Sequence, residues 1–272
     1  MQRMTSRELK DIQFSILKKI DAFCKDNCLT YFLAHGSLIG AVRHQGFIPW
    51  DDDIDIAMPR PDYEKFVSSF KDETVSIYSL RTVSTCRYPY AKAYDTRTEV
   101  YEGSFKHMSD YGANIDVFPY DFAPSDDIQR RKLVRKARFW QMVLKVKLSR
   151  VSSIMTLKQN LIIAPGRVLL IFTSAASLAR KIDWVARTYE TKKGGKMGCL
   201  VWGYGEREIV DASVFSSAIQ MPFEGFAASV PIGYDNLLSS MYGSYMELPP
   251  VEKQTTHHDF EAYWRGSNEE SS

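Results

Sequence analysis

Four aspartates in five positions, Asp51-Asp52-Asp53-Ile54-Asp55, are the densest group of chemically capable side chains in the sequence. If Asp53 to Met58 is a strand, its two-residue period sends Asp53 and Asp55 to one face and Ile54 and Ile56 to the other. Two carboxylates that close repel each other, and a divalent cation between them is the simplest way to neutralise them. An all-oxygen donor set selects Mg²⁺ or Mn²⁺. Asp51, Asp53 and Asp55 also match the first, third and fifth positions of an EF-hand calcium loop, but Ile56 stands where that loop needs glycine. A solvated acidic turn is the other alternative, and the alternation with isoleucine argues against it.

Three further segments carry groups of the same kind. The apolar run Tyr31 to Ala34 breaks at His35-Gly36-Ser37, and Ser37 to Arg43 is helix-compatible. Backbone donors at Gly36 and Ser37 could therefore meet a phosphate at a helix N-terminus. Lys92 alternates with Ala91 and Ala93, so it either points into a cleft, where it would suit a phosphate, or lies exposed. Asp116 sits between Ile115 and Val117 in the apolar strand Ala113 to Phe118, a costly place for a carboxylate without a partner. An aspartate capping a turn near Pro119 is the structural alternative.

The elements that must position these groups can be read from periodicity. Met1 to Lys25 is an amphipathic helix with Leu9, Ile12, Ile16, Leu17 and Ile20 on one stripe. Pro59-Arg60-Pro61-Asp62 ends the acidic strand and opens a helix through Tyr63, Phe66, Val67 and Phe70. Thr74 to Leu80 alternates as a strand, and Tyr88 to Tyr94 with Thr98 to Tyr101 forms a hairpin turning at Asp95 to Arg97. Later, Met197 to Trp202 reads as a strand, Phe223-Glu224-Gly225-Phe226 as a hairpin turn, and Tyr234 to Tyr242 as a helix closed by Gly243.

A chain of 272 residues with 44% apolar content can bury a real core. The N-terminal stretch lacks the pattern of a signal peptide, which predicts a cytoplasmic protein. Cys24, Cys28, Cys86 and Cys199 are too few for a disulfide framework. Cys24 and Cys28 have no matching ligand pair, so they read as small buried residues rather than a zinc site. The net charge of +2 conceals an asymmetry, because no acidic residue lies between Asp127 and Asp183 while thirteen Lys and Arg do. Asp127 to Arg150 is helical in period with nine of those basic residues, and Leu161 to Leu178 is apolar but falls short of a membrane span. A basic helical insertion peripheral to the inner face of an anionic membrane fits this pattern, as does a plain subdomain with a solvated basic face. Nucleic acid is not an expected partner, since no nucleic-acid motif accompanies the charge.

The stretch HGSLIGAVRHQGFIPWDDDIDIAM closely resembles the signature of the LicD family, which is similar to nucleotidyltransferase-fold enzymes and related to the fukutin-related sugar-phosphate transferases. The resemblance continues at Tyr88-Pro89-Tyr90-Ala91-Lys92 and Ile115-Asp116-Val117-Phe118-Pro119. It resumes at Val230-Pro231-Ile232-Gly233-Tyr234, Tyr242-Gly243 and Leu248-Pro249-Pro250. It spans Tyr31 to His258 with a poorly matched middle.

That resemblance implies an α+β fold, a nucleotidyltransferase-like mixed sheet flanked by helices. Residues 1–125 would form the core, 126–190 the basic helical insertion, and 191–272 a C-terminal part completing the core. Asp116 would then join Asp53 and Asp55 in a carboxylate triad, as metal ligand or general base, with Asp51 as a further ligand of Mg²⁺. Gly36, Ser37, Arg43 and Lys92 would hold phosphate, and the tail residue His258 would approach the site. The implied reaction moves phosphocholine or a related phospho-alcohol from a CDP-activated donor to a sugar hydroxyl of a glycan or lipid-linked glycan, releasing CMP. Glycans of that kind include teichoic acid, lipopolysaccharide and capsule precursors. A choline headgroup would want aromatic walls, for which Trp50, Tyr88, Tyr90, Tyr120 and Trp202 are available. The competing readings are a nucleotidyltransferase acting on a small molecule or RNA end, and a catalytically idle glycan- or membrane-binding module.

Overall fold

Every strand of the main sheet pairs with Asn114–Ala123 directly or through one neighbour. The structure is a computed structural model that describes residues 2–102, 107–149, 165–166, 168–189, 195–255 and 260–266. In chain order the elements are β1 (Gln2–Arg3), α1 (Ser6–Asp26), β2 (Phe32–Leu33), α2 (His35–Ile39), a π-helical turn (Gly40–His44), β3 (Asp55–Pro59) and α3 (Arg60–Ser69). Next come β4 (Val75–Tyr78), β5 (Ala91–Asp95), β6 (Thr98–Glu102), β7 (His107–Met108), β8 (Asn114–Ala123), α4 (Asp127–Leu148) and α5 (Ala175–Ala186). The chain continues with β9 (Lys196–Cys199), a 3-10 turn (Gly205–Glu208), β10 (Val210–Asp211), β11 (Ala218–Phe223), β12 (Phe226–Pro231), α6 (Tyr234–Tyr242) and β13 (Phe260–Trp264).

This is an α+β fold. One edge of β8 runs parallel to β3, which in turn pairs antiparallel with β2. The opposite edge is shared: residues 114–117 pair with β5 and residues 120–123 with β9, both antiparallel. Pro119 lies within this strand. The Asp116 N–H donates toward β3 at 3.1 Å to the Ile54 carbonyl. Pro119, three residues on, therefore faces the other edge at the point where β5 gives way to β9, so its missing donor breaks no ladder bond. The turn reading for this stretch is thereby replaced by a continuous strand.

Helix α1 starts at a capping box in which Thr5 and Glu8 bond each other's backbone, and it buries the predicted stripe Leu9, Ile12, Ile16, Leu17 and Ile20. Glu224 and Gly225 turn between β11 and β12 with φ of 51° and 73°, the left-handed pair that a two-residue hairpin demands. Gly243, at φ 69°, closes α6.

Three sequence expectations are corrected. β5 and β6 do not form a hairpin ladder; β5 joins the main sheet, whereas β6 pairs with β13 and β7 in a second sheet. The Thr98 hydroxyl explains the parting, because it donates to the Asp95 carbonyl and accepts from the Ala113 N–H, tying the turn to the start of β8 instead. Asp53 lies outside β3, which starts only at Asp55. Cys28 is exposed at positive φ just past the end of α1, while Cys24, Cys86 and Cys199 are buried, and all four are free. Of the apolar stretch Leu161 to Leu178, residues 161–164 and 167 lie outside the described residues; its last part enters α5.

Arg60, at the first turn of α3, fastens the helices to the sheet. Its guanidinium grips Asp121 of β8 with two bonds of 2.7 and 2.6 Å and reaches Asp183 of α5 at 2.8 Å. Asp121 is almost fully buried, so removing its partner strands a charge in the interior. Arg60→Met is expected to lower unfolding stability by about 3–5 kcal/mol, measured by urea denaturation. A change below 1 kcal/mol would mean that solvent already screens the cluster.

Candidate active site

Asp55, Asp116 and Lys92 stand side by side on three adjacent strands. Asp55 of β3 is in parallel register with Asp116 of β8, and Asp116 is in antiparallel register with Lys92 of β5. In-register residues point to the same face, so strand pairing alone brings these three groups together. Asp116 Oδ1 accepts from Lys92 Nζ at 2.5 Å and from Asn114 Nδ2 at 3.0 Å. The partner that a carboxylate at this position requires is thus a lysine from the neighbouring strand.

The row opens into a cleft of about 730 Å³ that is also lined by Asp51 and Asp53. Rings surround Lys92: its Nζ lies 4.9 Å from the centre of Tyr88, 5.5 Å from Tyr90 and 5.2 Å from Tyr111. Trp50 and Trp202 are further walls, and Lys145, which reaches in from α4, lies 4.6 Å from the Trp202 ring centre. Tyr120 is not a wall. It is buried behind the cleft, where its hydroxyl donates to Glu208 at 2.9 Å.

Beside Asp55 is a buried ionic chain. His35 lies between two carboxylates, with Nδ1 3.1 Å from Asp55 Oδ2 and Nε2 2.8 Å from Glu208 Oε1. Burial works against a charged imidazole, but Glu208 and Asp55 outweigh it and hold the His35 pKa well above its usual value. The ring therefore carries a positive charge at neutral pH and donates from both nitrogens. His35 has a φ of 46°, uncommon outside glycine, which turns the chain sharply from β2 into α2. Glu208 is fully buried, and Gly203 makes room for it, since a Cβ at Gly203 would stand 2.3 Å from Glu208 Oε2.

The expected phosphate cradle is built differently. A Cβ at Gly36 would lie 2.5 Å from Asp51 Oδ2, so glycine there admits the chain's own carboxylate to the start of α2. The Ser37 hydroxyl is buried and accepts from the Asp55 N–H at 2.9 Å, bracing β3 rather than facing the cleft. Arg43 is directed elsewhere, with Nη1 donating to the Tyr245 and Glu247 carbonyls at 2.6 and 3.0 Å. Of the residues expected to bind substrate, Gly36, Trp50 and Lys92 line the cleft. His258 lies outside the described residues.

The donor chemistry of the cleft fits a hard divalent cation, since Asp51, Asp53, Asp55 and Asp116 are all carboxylates on its lining. As they stand, no three His, Cys, Asp or Glu side chains among the described residues are grouped as a metal site. Lys92 and the charged His35 already balance Asp116 and Asp55.

Sequence reading passed over several of these groups. His35 was visible directly before Gly36-Ser37, but nothing local marks it as the bridge between two acids. Glu208 is 173 positions from His35 and sits in a short charged run that reads as surface. Asn114 precedes Asp116 by two positions and so shares its face, a signal that strand periodicity contains. Gln13, from α1, lines the cleft and donates to the Asn114 carbonyl at 3.2 Å, while its buried Oε1 has no hydrogen-bond partner among the described residues.

Residues 28–149, which run from the entry to β2 past the end of α4, match the family described as LicD/FKTN/FKRP, nucleotidyltransferase domain. The lipopolysaccharide cholinephosphotransferase LicD of Haemophilus influenzae is 32% identical over 97% of this chain and 99% of its own. An uncharacterized protein of Rickettsia typhi is 36% identical over 21% of this chain and 20% of its own. A second, from Rickettsia prowazekii, is 30% identical over 27% of this chain and 29% of its own. Similarity to the Haemophilus protein thus takes in both the core strands and the distant Glu208 segment, and the chain belongs to the LicD family.

Proposed function

We propose that this protein is a phosphotransferase that moves phosphocholine, or a related phospho-alcohol, from a CDP-activated donor to a sugar hydroxyl of a cell-surface glycan precursor, releasing CMP. The observation that carries this reading is the row Asp55–Asp116–Lys92, two carboxylates and an ammonium held in register inside a cleft that also holds Asp51 and Asp53. The donor and acceptor classes are taken from the printed activity of the Haemophilus relative, a lipopolysaccharide cholinephosphotransferase.

In this mechanism Asp116 accepts the proton of the acceptor hydroxyl as that oxygen attacks the distal phosphorus of the donor. The new O–P bond forms in line with the bond that breaks, and CMP departs with its electron pair. Protonating Asp116 cancels the charge that Lys92 balances. The Lys92 ammonium, 2.5 Å away, then becomes a counter-charge for the transferring phosphoryl oxygens. Lys145 adds positive charge at the α4 side. Asp53 and Asp55, with Asp51, would hold Mg²⁺, which when bound supplies neutralisation of the donor diphosphate. The charged His35, fixed from behind by Glu208, holds one oxygen of Asp55 and so sets the orientation of the other. Because the tyrosines around Lys92 already carry a cation, Trp50 is the favoured wall for a quaternary ammonium.

Purified protein incubated with Mg²⁺ and a panel of CDP-choline, CDP-ribitol, CDP-glycerol and CTP is expected to release CMP from one CDP-linked donor. Release of pyrophosphate from CTP would instead assign nucleotidyl transfer. Chelation with EDTA should abolish turnover and Mg²⁺ should restore it. Asp116→Asn should lower kcat by about 10²–10⁴-fold with little change in donor KM; an unchanged kcat removes Asp116 from the role of base. Glu208→Gln, which leaves His35 less firmly held, is expected to lower kcat roughly tenfold while the folded state persists by circular dichroism.

A further inference from the structure

Helix α4 presents three faces. Val134, Ala137 and Leu144 are buried against the core. Gln141 and Lys145 line the cleft. Next around the helix, at three- and four-residue spacing, come Arg131, Arg135, Arg138, Phe139, Met142 and Val146, a stripe that is basic at one end and apolar at the other. Phe139 and Met142 expose 52% and 56% of their surface.

The segment 168–172 extends the apolar end. Just ahead of it, Gly166 backs onto Val146, where a Cβ would meet Val146 Cγ1 at 2.8 Å, and Lys147 Nζ donates to the Leu170 carbonyl at 2.9 Å. This segment carries Leu169 and Phe172, exposed by 84% and 99%. Large side chains that project this far from a folded chain mark a docking surface.

The charge around the surface selects its occupant. Lys132, Arg135 and Lys136 are exposed on the same helix, and the sequence from 128 to 182 holds no acidic residue. Lys136 of α4 and Lys181 of α5 lie 5.0 and 4.1 Å from the ring centre of the half-exposed Trp184 of α5, an amphipathic cluster suited to a water–lipid boundary. The surround is mainly cationic, with Glu206 3.7 Å from Arg131 at its basic end, and an apolar centre so flanked matches an interfacial helix on anionic lipid. No helix among the described residues is long and apolar enough to cross a membrane.

We propose that the face of α4 bearing Phe139 and Met142, together with Leu169 and Phe172, seats this protein on an anionic lipid bilayer. Since Lys145 stands three positions after Met142 and so beside it on the helix surface, docking brings the cleft mouth to the headgroup layer, within reach of an acceptor carried by the same lipid surface. That acceptor rests on the reading in the preceding section; the docking does not.

Co-sedimentation with vesicles tests it, using the full chain. The wild type should pellet with vesicles of phosphatidylcholine mixed with phosphatidylglycerol, pellet much less with phosphatidylcholine alone, and dissociate as salt is raised. The double variants Phe139→Ser/Phe172→Ser and Lys132→Glu/Arg135→Glu should each lower the apparent affinity by about tenfold or more. Thermal unfolding checks that they remain folded, and Leu169→Ser is a milder third variant. A wild type that stays in the supernatant, or variants that bind like the wild type, overturns the proposal. So does a wild-type dimer that Phe139→Ser converts to monomer in sedimentation velocity, which would give the face to a second copy. CMP release on a soluble acceptor, measured alongside, should be unchanged in the variants. Loss of that activity in the wild type would strike the transferase reading and leave the docking result standing.

Discussion

The placement of like charges in one cleft is the constraint to which the rest of this structure answers. Asp55 and Asp116 are adjacent on neighbouring strands, an arrangement that repulsion alone would disfavour. The chain resolves it by giving each acid its own cation from a different element, His35 from the entry to α2 and Lys92 from β5. The arrangement extends outward, because His35 needs Glu208 and Glu208 needs Tyr120 and the Tyr204 N–H. Segments far apart in sequence are thereby committed to one electrostatic solution. A hydrophobic core tolerates repacking, but a buried ionic chain does not tolerate the loss of one member.

The fold was legible where local pattern and tertiary role coincide. Helix α1 shows its buried stripe in its spacing, the Glu224-Gly225 turn declares itself by residue type, and the Asp55-Ile56 alternation survives in β3. Reading failed where partnership is decided at long range. β5 and β6 look like a hairpin because their separation suits one, yet a single threonine hydroxyl sends them to different sheets. Pro119 resembles a strand end because the edge it faces, and the change of partner there, cannot be read from its neighbours.

The site divides in the same way. Asp53 and Asp55 show in the sequence as close carboxylates alternating with isoleucine, Asp116 as a charge in an apolar strand and Lys92 as a lysine between alanines, and all four line the cleft. Gly36 and Ser37 were identified for a role at a helix start, but the structure uses one to admit Asp51 and the other to brace Asp55. Arg43 looked like a phosphate ligand from its place in the motif, whereas carbonyls of the C-terminal segment hold it. A basic residue near an acidic cluster has many possible partners, and only coordinates choose among them.

The pairing of Ala123 with Lys196 has a consequence for how this architecture can diversify. The polypeptide departs from the sheet at one of these residues and re-enters at the other, directly across the ladder, so everything between them is a detour with its two ends pinned together. Such a detour can change in length without changing the register of β8 and β9, provided that it keeps Gln141 and Lys145 at the cleft and Asp183 on Arg60. The outer part of the excursion, away from those three contacts, is therefore the place where this architecture tolerates change at least cost to the sheet.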